Sequence, residues 1–103
     1  MSGPRATTRT AGSPARNANS NLNLDIRSSS TTAGAAVVQN TASAADSQKW
    51  TLTDAGNGYC KLKNVNSGFT AGVAQSSTSN GAAVVQWNDV TVDDQLWKIV
   101  RIN

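Results

Sequence analysis

All six acidic residues are Asp, and the chain has no His and no Glu. That removes the commonest general base and the usual glycosidase acid, so both carboxylate roles of a hydrolase would fall on Asp alone. Asp25 and Asp94 are the pair that could meet across a groove, but no spacing brings them together, and an enzyme is not expected. Cys60 is the only cysteine. It has no His to activate it and no partner for a disulfide or thiolate metal cluster, which leaves a small strand residue suited to burial. Asp89, Asp93 and Asp94 do not follow the spacing of a calcium-binding loop, so a solvated turn is expected there, with no metal and no cofactor. Two side chains keep open readings. Asp25, at a strand end, holds either its own turn or a ligand; Trp87, closing the run Val84-Val85-Gln86, reads as core, rim or platform.

The elements that position these residues come in two copies. Sliding the chain by 47 residues lays Gly34-Ala35-Ala36-Val37-Val38-Gln39 on Gly81-Ala82-Ala83-Val84-Val85-Gln86, and Gln48-Lys49-Trp50 on Gln95-Leu96-Trp97. Between Asn17–Gly56 and Asn64–Asn103, fifteen of forty aligned positions are identical without a gap, which marks a repeat architecture. Short β-branched runs broken by Ser, Asn, Gly and Asp, with no sustained helical period, make it all-β. The second copy predicts strands at Tyr59–Asn64, Thr70–Ala74, Ala82–Trp87 and Leu96–Arg101, and the first at Asn23–Ser28, Ala35–Asn40 and Lys49–Asp54. The positions matching Tyr59 to Leu62 are Gly12, Ser13, Pro14 and Ala15, which make at best a poor edge strand. Residues 1–16 offer almost nothing to bury and are expected to form an unstructured arm. Repeat one is then 17–56 and repeat two 58–103.

A length of 103 residues allows one domain with a small core. The net charge of +3 is supplied by Arg5, Arg9 and Arg16; residues 17–103 carry six basic and six acidic groups. A neutral folded part without interleaved aromatics does not support nucleic-acid binding. No stretch approaches about 20 apolar residues, so no membrane insertion is expected, and the N-terminus lacks the apolar run of a secretory signal.

A unit ending in Gln-x-Trp, preceded by a Ser-Thr-x-x-Gly-Ala run and an Asn-x-Asn-Ser turn, resembles the ricin B-type lectin repeat of the β-trefoil fold. The residues are Asn64-Val65-Asn66-Ser67-Gly68, Ser77 to Ala82, Gln86-Trp87 and Gln95-Leu96-Trp97 in one copy. In the other they are Asn17-Ala18-Asn19-Ser20, Leu24-Asp25-Ile26, Ser30 to Ala35 and Gln48-Lys49-Trp50. The spacing fits Trp50 and Trp97 as core rings, with Gln48 and Gln95 holding nearby backbone groups. The resemblance implies a non-catalytic, extracellular carbohydrate-binding module for galactose-type or xylan-type glycans. It also implies weak sites built from an Asp, an aromatic ring and an Asn before the Gln-x-Trp. Carboxylate and amide oxygens accept from sugar hydroxyls while the pyranose face lies on the ring, and several weak sites act together.

By that pattern repeat one has Asp25, but Asn40 at the ring position and Ser47 at the Asn position. Repeat two has Trp87 at the ring position, but Gly72 in place of the Asp and Asp94 in place of the Asn. The resembling fold closes with three repeats and this chain has about two. Three arrangements accommodate that: a remnant of a longer parent chain, self-association that supplies the missing third, or an open partial trefoil. A truncated structural or protein-interaction fragment without sugar binding is the alternative function.

Overall fold

In the computed structural model, residues 12–98 are described. They form eight strands joined by turns and short 3₁₀ segments, with no α-helix: β1 (Ser13–Pro14), β2 (Asn23–Ile26), β3 (Val37–Asn40), β4 (Lys49–Gly56), β5 (Tyr59–Asn64), β6 (Thr70–Val73), β7 (Val84–Trp87) and β8 (Trp97–Lys98). One sheet runs β1-β4-β5-β6-β7, with β8 also on β5, and β2 and β3 form a separate hairpin.

The 47-residue period in the sequence returns as a period in the hydrogen bonds. Ser13 pairs with Trp50 as Cys60 pairs with Trp97, and Asn23 pairs with Asn40 as Thr70 pairs with Trp87. Trp50 Nε1 donates to the Leu24 carbonyl at 3.2 Å, and Trp97 Nε1 donates to the Ala71 carbonyl at 3.1 Å. Each Gln does the same work: Gln48 accepts from the Ser43 amide and donates to the Thr41 carbonyl, and Gln95 accepts from the Val90 amide and donates to the Asn88 carbonyl. Both Gln side chains are buried, so these bonds satisfy loop groups that would otherwise lose water without compensation.

The repeats are joined along β4 and β5, at Asn66, whose Nδ2 donates to the Ser29 carbonyl, and at Gln86. Asn57-Gly58, both at positive φ, turns β4 into β5, as a two-residue hairpin loop requires. Farther along, Gln86 is fully buried and donates from Nε2 to the carbonyls of Ser30 and Thr32, while its backbone exchanges bonds with Gly34 and Ala35. Its counterpart Gln39 is exposed, and its side chain accepts from Ser20 Oγ.

Three expectations change. The unstructured arm does not reach residue 16: Ser13 and Pro14 pair with Trp50 and Lys49, Arg16 bridges Asn23, and the Leu24 amide donates to Ala15. Backbone pairing orders this segment despite its poor side chains, so the first repeat begins by residue 12; residues 1–11 lie outside the described residues. Strand β2 stops at Ile26 and β6 at Val73, each two or fewer residues short of expectation. The next residues enter 3₁₀ turns with Ser28, Ser29, Gln75 and Ser76 at positive φ. Finally, Trp50 is buried at 2% exposure but Trp97 only half so; among the described residues β4 lies between β1 and β5, whereas β8 pairs with β5. The core is correspondingly small, with Ile26, Trp50 and Ala71 at its centre and Leu24, Val37, Leu62 and Val84 packed partly over them.

Candidate functional site

The left-handed turns are the starting point of the site. Non-Gly residues at positive φ cost on the order of 1 kcal/mol or more each, yet both repeats hold a pair of them at equivalent positions. The consequence is to deliver a hydroxyl: Ser29 Oγ lies 3.1 Å from Ser47 Oγ, and Ser76 Oγ donates to Asp94 Oδ2. Positions 47 and 94 immediately precede the buried Gln48 and Gln95, so each turn is tied to the loop before β4 or β8.

In repeat one the expected residues Asp25, Asn40 and Ser47 come together and satisfy one another. Asp25 is 5% exposed. Its Oδ1 accepts from the Ile26 amide at 2.7 Å; its Oδ2 accepts from Asn40 Nδ2 at 2.9 Å and Gln48 Nε2 at 3.3 Å. Burial pushes the carboxyl up, but bonds from Asn40, Ser47, the Ile26 amide and Gln48 outweigh it and hold Asp25 below the ordinary aspartate value. Asn40 thus occupies the ring position and also donates to the carboxylate.

Repeat two arranges the same positions differently. Trp87 ends β7 with 47% of its surface exposed, and its ring lies against Gly34 of repeat one, where an added Cβ would sit 3.7 Å from Cζ3. In front of the ring runs a groove of about 490 Å³, walled by Val85, Val90, Val92, Gln75 and Asp94 and floored by Gly72. Gly72 is the counterpart of Asp25. A Cβ there would fall 2.6 Å from Asp94 Oδ1 and 3.0 Å from Gln95 Cγ. The missing side chain therefore leaves the space that the Asp94 carboxylate fills. One repeat brings a carboxylate from the strand, beside Ser47; the other brings it from the loop, beside Gly72. Sequence comparison read Gly72 as a loss and missed Ser76 altogether, although the 47-residue shift of Ser29 and Ser47 points to Ser76 and Asp94.

Trp87 and Asp94 share this groove, and Asp25 is not among its lining residues. Burial, with the Asp54 charge adding to it, pushes the Cys60 thiol up, and its Sγ donates to the Trp97 carbonyl; both features oppose thiolate chemistry. Among the described residues, no group of three or more His, Cys or acidic side chains gathers as a metal site. No helix there is long and apolar enough to cross a membrane.

A family model described as ricin-type β-trefoil lectin domain-like matches residues 14–87 and 46–103. A comparison with curated proteins finds no match. Among solved structures, the chain is similar to a designed threefold-symmetric protein, ThreeFoil, at 36% identity and TM-score 0.88, over 91% of this chain and 67% of that one. It is similar to the exo-β-1,3-galactanase 1,3Gal43A from Clostridium thermocellum at 31% identity and TM-score 0.84, over 86% of this chain but 19% of that one. The Rhizoctonia solani agglutinin aligns over 91% of this chain and 97% of its own at TM-score 0.51; at 20% identity that likeness speaks to the fold alone.

Proposed function

Since the chain belongs to the ricin-type β-trefoil lectin domain-like family, a carbohydrate-binding fold, we propose that it is a non-catalytic module that binds galactose-type or xylan-type glycans weakly in the Trp87 groove. The observation that carries this reading is a half-exposed indole and a carboxylate that line the same largely apolar groove. A pyranose ring has an apolar face to lie on Trp87 and hydroxyls to donate to Asp94. The likeness to a galactanase that this chain covers only in small part supports the galactose-type choice and a setting outside the cell, where such polymers are met. In the same reading Asp25, Asn40 and Ser47 form the counterpart site, closed by their own hydrogen bonds, so affinity depends on one groove per chain.

Tryptophan fluorescence during titration with galactose and xylo-oligosaccharides tests this. Quenching with a blue shift is expected, and Trp87→Ala should abolish it without unfolding the domain. No change up to tens of millimolar sugar would favour the fragment without sugar binding, a reading supported by the exposed Leu52 and Tyr59.

A further inference from the structure

We infer that the Trp87 groove prefers saccharides that carry a free, protonated amino group over their neutral or N-acetylated counterparts, and rejects acidic sugars. The inference rests on the carbohydrate reading above and names the class of sugar within it.

The transposed carboxylate is the reason. In repeat one, three donors already occupy the oxygens of Asp25. In repeat two, Asp94 Oδ2 accepts from Ser76, and Oδ1, lying over Gly72 in the groove floor, has no hydrogen-bond partner among the described residues. Among the described residues, Asp94 is the only formally charged one lining the groove. Gln95 Nε2 donates to the Asn88 carbonyl, whereas its counterpart Gln48 Nε2 also donates to Asp25. A ligand that displaces water from Asp94 Oδ1 therefore has to bring hydrogen to it. A hydroxyl does so as a neutral donor; an ammonium does so with opposite charge, which makes the bond shorter and stronger. Trp87 lines the same groove, and its ring quadrupole attracts a cation that comes within about 6 Å of the ring centroid. Gly72 is the positioning element: any side chain there would displace the carboxylate from the groove. The chain's net charge of +3 works against cationic ligands in general, so a preference for one must arise locally. A uronate or other acidic sugar would set a second anion against Asp94 with no cation in the lining to offset it.

Calorimetric titration with galactosamine, galactose, N-acetylgalactosamine and galacturonic acid at equal ionic strength decides the matter. At about pH 6 an amine of this kind is protonated. Partly exposed charge and cation–π contacts of this type correspond to about a three- to tenfold tighter Kd for galactosamine than for galactose, with no measurable binding of galacturonic acid. Asp94→Asn keeps an acceptor for Ser76 and should bring the galactosamine-to-galactose ratio to about one, with a cooperative urea transition showing that the variant is folded. Equal affinities in the wild type, or a preference that survives Asp94→Asn, would overturn the inference and leave the carbohydrate reading standing. Failure of all four sugars to bind would remove both.

Discussion

Asp25 shows how a residue of the right type for recognition serves the fold instead. The Asp25 carboxylate, itself buried, gathers a backbone amide, the Asn40 amide and the Gln48 amide, so Asp25→Ala removes the acceptor of three donors, those of Ile26 and Gln48 buried. The expected cost is about 1–3 kcal/mol, read as a lower urea midpoint. The pH dependence has a definite sign. Because the folded-state carboxyl is held below its ordinary value, its contribution is complete above the ordinary aspartate range, about 3.9. It is lost as pH falls through the depressed folded value. Urea titrations between about pH 6 and pH 2 should therefore show an acid-side loss of stability that is shallower in Asp25→Ala. An unchanged acid limb would show that Asp25 does not hold the turn. Asp94, the residue with the transposed role, has one oxygen bonded to Ser76 and the other turned to the groove. Identical chemistry at two equivalent places thus yields one closed and one open site.

The elements were largely legible, for a physical reason: β-branched runs recurring at a fixed spacing can bury one face only as paired strands. Tyr59–Asn64 appears as expected to the residue, and β3, β4 and β7 begin or end within two residues of it. The ends of β2 and β6 were not legible, since Ser28, Ser29, Gln75 and Ser76 adopt positive φ without the Gly that usually announces it. The Asn57-Gly58 turn was readable from its dipeptide, yet it fell between the two aligned units and escaped a comparison built on what they share. In the site, Trp87 was visible as the ring of the family pattern, and Gly72 and Asp94 as departures from it. Their relation was not, because Gly72 and Asp94 are 22 positions apart and only packing shows that one vacates what the other fills. The junction between repeats gives its own test. Gln86→Ala removes the amide that ties β7 to Ser30 and Thr32, and should cost about 1–3 kcal/mol in thermal or urea unfolding. The equivalent Gln39→Ala, at an exposed position, should stay within about 0.5 kcal/mol. Equal losses at the two sites would show that the staple carries no energy.

For the whole molecule, the number of repeats governs what is covered. The chain matches 67% of a protein built with threefold symmetry, and its described part has an uneven core: Trp50, on β4, is flanked by β1 and β5 and bonds the first hairpin at Leu24, while Trp97 sits on β8, whose one described neighbour is β5. The cost of truncation scales with how many atoms lose their neighbours. Trp50→Ala should cost about 3–5 kcal/mol, much of the stability of so small a domain, whereas Trp97→Ala should cost clearly less. Chemical unfolding of the two variants checks this, and an equal loss would mean that the outer face around Trp97 is covered in solution. Leu52, exposed at 39%, lies on the same strand as Trp50, so light scattering on the same samples reports directly on any such cover.

The central claim is that a saccharide is held in the groove before Trp87, and the three indoles of this chain make it testable in one spectrum. In an amide-and-indole nitrogen correlation experiment titrated with galactose-type oligosaccharides, the Trp87 indole and the Gly72 and Asp94 amides should shift together, saturating at one apparent affinity. The indoles of Trp50 and Trp97, each bonded to a backbone carbonyl, should stay in place. Shifts centred on Trp50 or Trp97, or no indole shift at tens of millimolar sugar, would contradict the account.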